Sequence, residues 1–191
     1  MKVLRQYIRH LLIIERITQE DYEDVEATAR LAHLGQKRRD GTDYINHPLE
    51  VMEITKKHYP NNYAAHLLAM LHDTIEDGPK LGHITVDELK DFIRGSITDP
   101  RDYFQIMAAL NYMTHDKQKH PNYADYLSHV FSNKLAAIVK ISDLIHNLTN
   151  NPAPRQVQKY KTALSVVRLP AGLQKSQVNE LMSILGVKNA K

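Results

Sequence analysis

The sequence predicts an all-α fold, a compact bundle of many helices, and three observations support this prediction. Apolar residues recur at helical spacing in most segments, as in residues 2–16 and 135–148. Helix start signals stand at several boundaries, and the strongest is the capping box formed by Thr85 and Glu88. No run of alternating polar and apolar residues indicates a strand. Helices alone are therefore expected to build the core.

Five helices are predicted in the first half of the chain, at residues 2–16, about 19–33, about 48–58, 66–77 and about 85–94. The second follows a capping signal at Thr18 and stops near Gly35. Pro48 suits the first turn of the third helix, which holds His47 just ahead of its start. The fourth opens with the apolar run HLLAML and continues at helical spacing to its acidic end.

Five more helices are predicted in the second half, starting at Pro100 and spanning residues 123–131, 135–148, about 154–167 and 176–185. Pro100 follows an aspartate, which is typical of a helix start. The polar segment MTHDKQKHPN is expected to be a surface loop. Asp40 and Gly41 form a turn signal in the long connection before His47.

Length and composition limit the classes of function. The chain has 191 residues, of which 42% are hydrophobic and 25% charged, which is ordinary for a soluble globular protein. No apolar run reaches the ~20 residues needed to span a bilayer, and the charged start of the chain is expected to be an amphipathic helix and not a signal peptide. We therefore expect no membrane partner.

Charge and cysteine content narrow the classes further. The net charge of +3 is too small to indicate nucleic-acid binding. Cysteine is absent, so disulfides and thiolate metal sites are excluded, and this fits a cytoplasmic protein. The oligomeric state is left open.

The stretch HLLAMLHDTIED places four ionisable groups directly after an apolar run, namely His72, Asp73, Glu76 and Asp77. Such groups are costly to bury alone, and a bound cation would relieve the repulsion between the carboxylates. Our hypothesis is that His72 and Asp73 hold a divalent metal while Glu76 and Asp77 handle water and protons. The alternative is a helix that ends in a solvated acidic turn.

Two further positions present imidazole or carboxylate groups in a similar setting. His47 precedes Pro48 by one residue, and Asp143 lies within the apolar segment VKISDLIHNL. Two imidazoles and two carboxylates suit manganese, iron, zinc or cobalt. His47 lies 25 residues before His72, and Asp143 lies 70 after Asp73, so only helix packing could bring them together. The alternatives are a capping or packing role for His47 and a solvated Asp143.

The order H…HD…D of these residues resembles the HD-domain metal-dependent phosphohydrolases. More narrowly, AHLGQKRRDGTDYINHPLEV, LLAMLHDTIED and VKISDLIHNL resemble the hydrolase domain of the RelA/SpoT family. These motifs cover roughly residues 25–165, and 166–191 would be a helical extension of one domain spanning 1–191. The resemblance is to small single-domain alarmone hydrolases, of the metazoan SpoT-homologue type, because no synthetase domain fits in the remaining length.

The resemblance implies removal of pyrophosphate from the 3′ position of guanosine tetra- or pentaphosphate (ppGpp or pppGpp), a small-molecule nucleotide. It also implies a role for each matching position. The implied metal ligands are His47, His72, Asp73 and Asp143 with Mn²⁺, the catalytic groups are Glu76, Asp77 and Arg38, and the substrate contacts are Lys37, Arg39, Asn147 and Asn150. Tyr44 is expected to pack the loop, and His146 to be a wall or surface residue.

Two positions depart from the family pattern. The family often has Arg where this chain has Ile145, and a Thr near the ribose or base is replaced by Asn150. Both positions are expected beside the nucleotide pocket, so the chemistry is better supported than the substrate. Two alternatives therefore remain open: a phosphohydrolase acting on NADPH or a deoxynucleoside triphosphate, and a regulatory module that binds a nucleotide without turnover.

Overall fold

The computed structural model describes residues 17–186, and within that range it contains ten α-helices, one short 3-10 helix and no strand. This confirms the all-α prediction. The helix predicted over residues 2–16 lies outside the described residues. The helices are α1 (Gln19–Ala32), α2 (Asn46–His58), α3 (Tyr63–Leu71), α4 (Thr74–Asp77), the 3-10 helix (Gly78–Leu81), α5 (Val86–Gly95), α6 (Pro100–Met113), α7 (Tyr123–Phe131), α8 (Lys134–Thr149), α9 (Pro154–Val166) and α10 (Lys175–Ile184).

Both predicted capping signals form. Thr18 accepts from the backbone N–H of Asp21, whose carboxylate accepts in turn from the Thr18 backbone N–H. Thr85 and Glu88 make the same reciprocal pair at the start of α5. Each pair satisfies amide groups that a helix start leaves unpaired, which explains why α1 and α5 begin at these residues.

Helix α3 forms the centre of the core. Every residue from Ala64 to Leu71 is buried, and the helix packs against α1, α2, α6 and α8. Its leucines are completely inaccessible, and truncating one such side chain to Ala typically costs about 2–5 kcal/mol. Within the described residues, no helix combines the length and apolar character needed to cross a membrane.

The helix predicted over residues 66–77 is broken after Leu71, which corrects the sequence expectation. α3 ends at Leu71 and α4 begins at Thr74, so His72 and Asp73 lie in a turn between them. Thr74 Oγ1 donates to the carbonyl oxygen of Leu71 at 2.7 Å. The Nδ1 atom of His72 lies 2.8 Å from the carbonyl oxygen of Ala69. These side chains satisfy carbonyl groups that the interrupted helix leaves free.

The connection between α1 and α2 folds back on itself as a tight loop. Lys37 and Asp43 form an isolated antiparallel bridge, and the Arg38 N–H donates to Thr42 O at 2.9 Å. Gly41 sits at the tip with φ +88°, a left-handed conformation that glycine adopts without strain. The predicted Asp-Gly turn is therefore present, and it directs Arg38 toward the side of the bundle where α2 begins.

The last described helix, α10, is anchored on α8. The buried Gln177 donates from Nε2 to Ile138 O at 2.8 Å and to Ser142 Oγ at 2.9 Å. Ser142 immediately precedes Asp143, so α10 packs against the part of α8 that carries Asp143.

Candidate metal centre

Two imidazoles and two carboxylates meet where the start of α2, the turn after α3 and the middle of α8 come together. His47 Nε2 lies 3.2 Å from Asp143 Oδ1 and 3.6 Å from Asp73 Oδ2. His72 Nε2 lies 3.1 Å from Asp73 Oδ2 and 3.8 Å from Asp143 Oδ1. His47, His72 and Asp73 also offer ligand atoms that all lie within 4.8 Å of one another. Helix packing thus brings His47 and Asp143, which are remote in sequence, to the adjacent pair His72 and Asp73.

His72 presents a lone pair to this group. Its Nδ1 lies 2.8 Å from the carbonyl oxygen of Ala69, which can only accept, so Nδ1 carries the proton of the neutral ring. Nε2 is then an acceptor, and it is buried with no hydrogen-bond partner within residues 17–186. A buried acceptor that faces two carboxylates is costly unless a cation or a proton lies between them.

The spacing of the four atoms fits a single ion. Two ligand atoms that are each about 2.1 Å from a metal are roughly 3.0 Å apart at an octahedral angle and about 3.4 Å apart at a tetrahedral angle. The four imidazole–carboxylate distances run from 3.1 to 3.8 Å, at or slightly beyond this range. The donor set of nitrogen and oxygen suits a borderline or hard divalent cation.

The charges of the group also favour a cation. Burial raises the pKa of Asp143, but the charge of Lys140 and the hydrogen bond from His47 outweigh it and hold this pKa well below its usual value. Burial likewise opposes ionisation of Asp73, whose pKa is nevertheless held low by His72, when that ring is charged, and by His47. Burial lowers the pKa of His47, but the two carboxylates raise it to about 9. In the absence of an ion, a proton on His47 therefore supplies the balancing charge.

Tyr44 fixes one of the carboxylates. Its hydroxyl donates to Asp73 Oδ2 at 2.6 Å, and its ring lies 5.6 Å, centroid to centroid, from that of His47. Burial and the nearby charge of Asp73 raise the pKa of Tyr44, so the hydroxyl stays protonated and remains a donor. The expectation that Tyr44 only packs the loop therefore missed its contact with the group.

The acidic pair lies on α4, next to the two imidazoles and two carboxylates. Glu76 Oε2 accepts from the backbone N–H of His115 at 3.3 Å, and Asp77 Oδ2 accepts from Gln36 Nε2 at 3.2 Å. Lys80 Nζ reaches both, at 3.6 Å from Glu76 and 2.8 Å from Asp77. Both acids are half-buried and line the same cleft as Asp73.

This cleft has a volume of about 880 Å³, and its wall carries many cations. Lys37, Arg38, Arg39, Lys140 and Lys159 all line it. Arg38 Nη1 is buried without a hydrogen-bond partner among the described residues. A buried guanidinium nitrogen left without an acceptor suits an anionic group entering the cleft.

The other residues predicted to contact the substrate differ in their exposure and in their partners. Lys37 and Arg39 are exposed, and Lys37 Nζ lies 2.5 Å from Asp43 Oδ1. Asn147 and Asn150 line the cleft, and Asn147 Nδ2 donates to Asp143 Oδ1. Ile145 is 1% exposed and packs in the core, so the expectation that it lies beside the pocket was wrong.

Sequence comparison finds known proteins that are similar to this chain. The chain is 29% identical over 120 residues to guanosine-3′,5′-bis(diphosphate) 3′-pyrophosphohydrolase of Haemophilus influenzae, which covers 63% of this chain and 17% of that protein. It is 26% identical over 120 residues to bifunctional (p)ppGpp synthase/hydrolase SpoT of Escherichia coli, covering 63% and 16%. The chain is a homologue of the HD-domain hydrolases of the RelA/SpoT type.

The similarity extends to plants but covers a limited part of each relative. The putative chloroplastic GTP diphosphokinase RSH1 of Oryza sativa is 26% identical over 148 residues, or 75% of this chain and 16% of that protein. The chain thus spans about a sixth of the length of these RelA/SpoT relatives. No protein-family model matches the chain.

From the sequence no role was expected for Lys140, and His146 was expected to be a wall or surface residue. Lys140 Nζ lies 2.8 Å from Asp143 Oδ2, and its position one helical turn before Asp143 was the available signal. His146 is buried with its Nδ1 at 2.8 Å from His47 Nδ1, so it is not a surface residue. Neither residue belongs to the H…HD…D pattern.

Proposed function

We propose that this chain is a metal-dependent phosphohydrolase that acts on a nucleotide, and that its leading substrate is guanosine tetra- or pentaphosphate, cleaved at the 3′-pyrophosphate. The observation that carries the proposal is the convergence of two imidazole Nε2 atoms and two carboxylate oxygens beside an acidic pair, in a cleft with a cationic wall. The names of the relatives point to the same reaction.

In this proposal His47, His72, Asp73 and Asp143 are the metal ligands, with Mn²⁺ as the expected ion. The buried lone pair of His72 and the low pKa values of both carboxylates support this assignment. A divalent ion held there supplies Lewis acidity and lowers the pKa of water at the site.

The remaining groups bind the substrate and manage protons. Arg38 offers its unpaired Nη1 to a phosphoryl oxygen, which balances charge that builds up during displacement. Glu76 and Asp77 orient the attacking water or give a proton to the leaving 3′ oxygen, and their contacts with Lys80 and His115 hold them at the cleft wall.

The outer part of the cleft is assigned to the rest of the nucleotide. Asn147 and Asn150 line it and offer amide groups to a ribose or base. Lys37 and Arg39 are assigned to outlying phosphates. Lys37 can leave its exposed ion pair with Asp43 to bind a phosphate, because such a pair contributes only about 0–1 kcal/mol.

The test is a substrate screen of the purified chain with Mn²⁺ against guanosine tetraphosphate, NADPH and deoxynucleoside triphosphates. Pyrophosphate release from the alarmone alone is the expected result. Orthophosphate release from NADPH, or turnover of a deoxynucleoside triphosphate, would contradict the substrate assignment, and nucleotide binding without any turnover would contradict enzymatic function.

Two variants show whether the activity belongs to this site. Asp73→Ala is expected to lose both Mn²⁺ and activity. Asp87→Ala removes an exposed acid of α5 outside the cleft and is expected to retain both. Equal activity in the two variants would mean that the hydrolysis comes from elsewhere.

A further inference from the structure

A chain of three side chains runs from the candidate metal centre to the protein surface. His47 Nδ1 lies 2.8 Å from His146 Nδ1, and His146 Nε2 is hydrogen-bonded to Glu50 Oε2. The two imidazoles are 3–4% exposed, whereas the Glu50 side chain is 58% exposed. His47 and Glu50 lie one turn apart on α2, and His146 reaches them from α8.

The carboxylate of Glu50 determines which ring nitrogen of His146 and of His47 carries a proton. Glu50 is an acceptor, so His146 must donate from Nε2, and the Nδ1 of a neutral His146 is then an acceptor. His47 Nδ1 must therefore be the donor of the bond between the rings. That assignment leaves Nε2 of a neutral His47 with its lone pair directed at Asp143 and Asp73.

We propose that Glu50 and His146 are positioning residues, which impose the His47 tautomer that presents Nε2 to a divalent ion. The inference rests on the metal site of the proposed function. Partners of this kind, behind a metal-binding histidine, orient the ring and raise its basicity.

The two imidazoles of the site are controlled in different ways. His72 has its tautomer set by the carbonyl oxygen of Ala69, which no side-chain substitution removes. His47 depends on a second imidazole, which has two neutral tautomers of its own, and so requires the carboxylate of Glu50 to choose between them. Glu50 thus acts on the ion through two rings without touching it.

The central experiment compares Glu50→Gln with Glu53→Gln, a matched change at an exposed position one turn further along α2. A glutamine at position 50 can donate as well as accept, so it no longer selects one His146 tautomer. Mn²⁺ affinity of the full chain is measured by calorimetric titration. Glu50→Gln is expected to weaken it by roughly 10–100-fold, while Glu53→Gln matches the wild type.

A second readout separates a positioning role from a structural one. Long-range ¹H–¹⁵N spectra of the protein loaded with Zn²⁺, which is diamagnetic, report the tautomers of His47 and His146, with signals assigned by substituting each residue in turn. His47 bound through Nε2 carries its proton on Nδ1 in both proteins. The wild type is expected to show His146 protonated at Nε2, and Glu50→Gln a mixture of the two His146 tautomers. The thermal midpoint of the metal-free protein is expected to be the same in both Gln variants.

A third variant, His146→Phe, keeps a ring but removes both nitrogens, and it is expected to lose more metal affinity than Glu50→Gln. If His146→Phe does not fold, the two Gln variants decide alone. Equal Mn²⁺ affinity in Glu50→Gln and Glu53→Gln would overturn the proposal. A wild type that binds no Mn²⁺ would overturn the proposed metal site itself, and the positioning roles with it.

Discussion

The hydroxyl of Tyr44 donates a 2.6 Å hydrogen bond to Oδ2 of Asp73, the same oxygen that faces the Nε2 atoms of His47 and His72. The bond holds this carboxylate with one oxygen directed at both imidazoles. Tyr44 belongs to the loop that also carries Arg38, so one segment positions a candidate metal ligand and a candidate phosphate-binding group together.

Tyr44→Phe is expected to weaken Mn²⁺ binding without abolishing it. The variant keeps the ring packed against His33 and His47 but removes the donor to Asp73. A hydrogen bond to a charged group contributes about 1.5–3 kcal/mol, which corresponds to roughly a 10–100-fold loss of affinity. Calorimetric titration checks this, and wild-type affinity in Tyr44→Phe would remove Tyr44 from the description of the site.

Glu76→Gln is expected to keep the metal and lose rate. The side chain remains the same size and can still accept from the backbone N–H of His115, but it can no longer take up a proton. General acid–base catalysis contributes about 10²–10⁴-fold, so kcat should fall within that range. Steady-state kinetics and metal content are measured beside Glu23→Gln, an exposed site on α1. Full activity in Glu76→Gln would refute its role.

Arg38→Lys is expected to weaken substrate binding while Mn²⁺ affinity stays unchanged. Lysine keeps the positive charge but loses the planar fork that presents the buried Nη1 to an oxygen acceptor. The loss of one such contact predicts a fall in kcat/KM of roughly 10–100-fold. Arg168→Lys, at an exposed position after α9, serves as the matched control. If both variants behave alike, Arg38 does not contact the substrate.

Asp21→Asn is expected to destabilise the fold in a pH-dependent way. Burial raises the pKa of Asp21, but hydrogen bonds from the backbone and hydroxyl groups of Thr18 and Thr98 outweigh it and lower the pKa from its usual value. Because the folded-state pKa is the lower one, the stabilisation is present above the unfolded-state pKa of about 3.9. It disappears as the pH falls through the folded-state pKa.

Urea unfolding of metal-free protein between pH 7 and pH 2.5 measures this effect. At pH 7 the wild type should exceed Asp21→Asn by roughly 2 kcal/mol in free energy of unfolding, and the difference should shrink below pH 4. A difference that stays constant across this range would show that the ionised carboxylate is not responsible.

The sequence predicted the helices well because their signals are local. Thr18 with Asp21 and Thr85 with Glu88 each lie within one turn, and both pairs form as expected. The break after Leu71 could not be predicted in the same way. It depends on side chains that take over backbone carbonyl groups and on the meeting of His72 with residues from α2 and α8.

The sequence indicated the four residues of the candidate site, but not the residues that contact them. The H…HD…D order indicated the group, whereas the direction of each side chain depends on how α2 packs on α8. Helical periodicity could have predicted the burial of Ile145. This residue lies two positions after Asp143, about 200° around the helix, and it therefore faces the core. His146 lies near the Asp143 face, but its contact with His47 needed the tertiary structure.

The most direct test of the central claim is the position of the ion itself. Crystals grown with Mn²⁺ and measured at the manganese absorption edge give an anomalous map. We predict one peak per chain, about 2.0–2.4 Å from His47 Nε2, His72 Nε2, Asp73 Oδ2 and Asp143 Oδ1. A fully occupied peak elsewhere, or none between these four atoms in Mn²⁺-saturated crystals, would contradict the account.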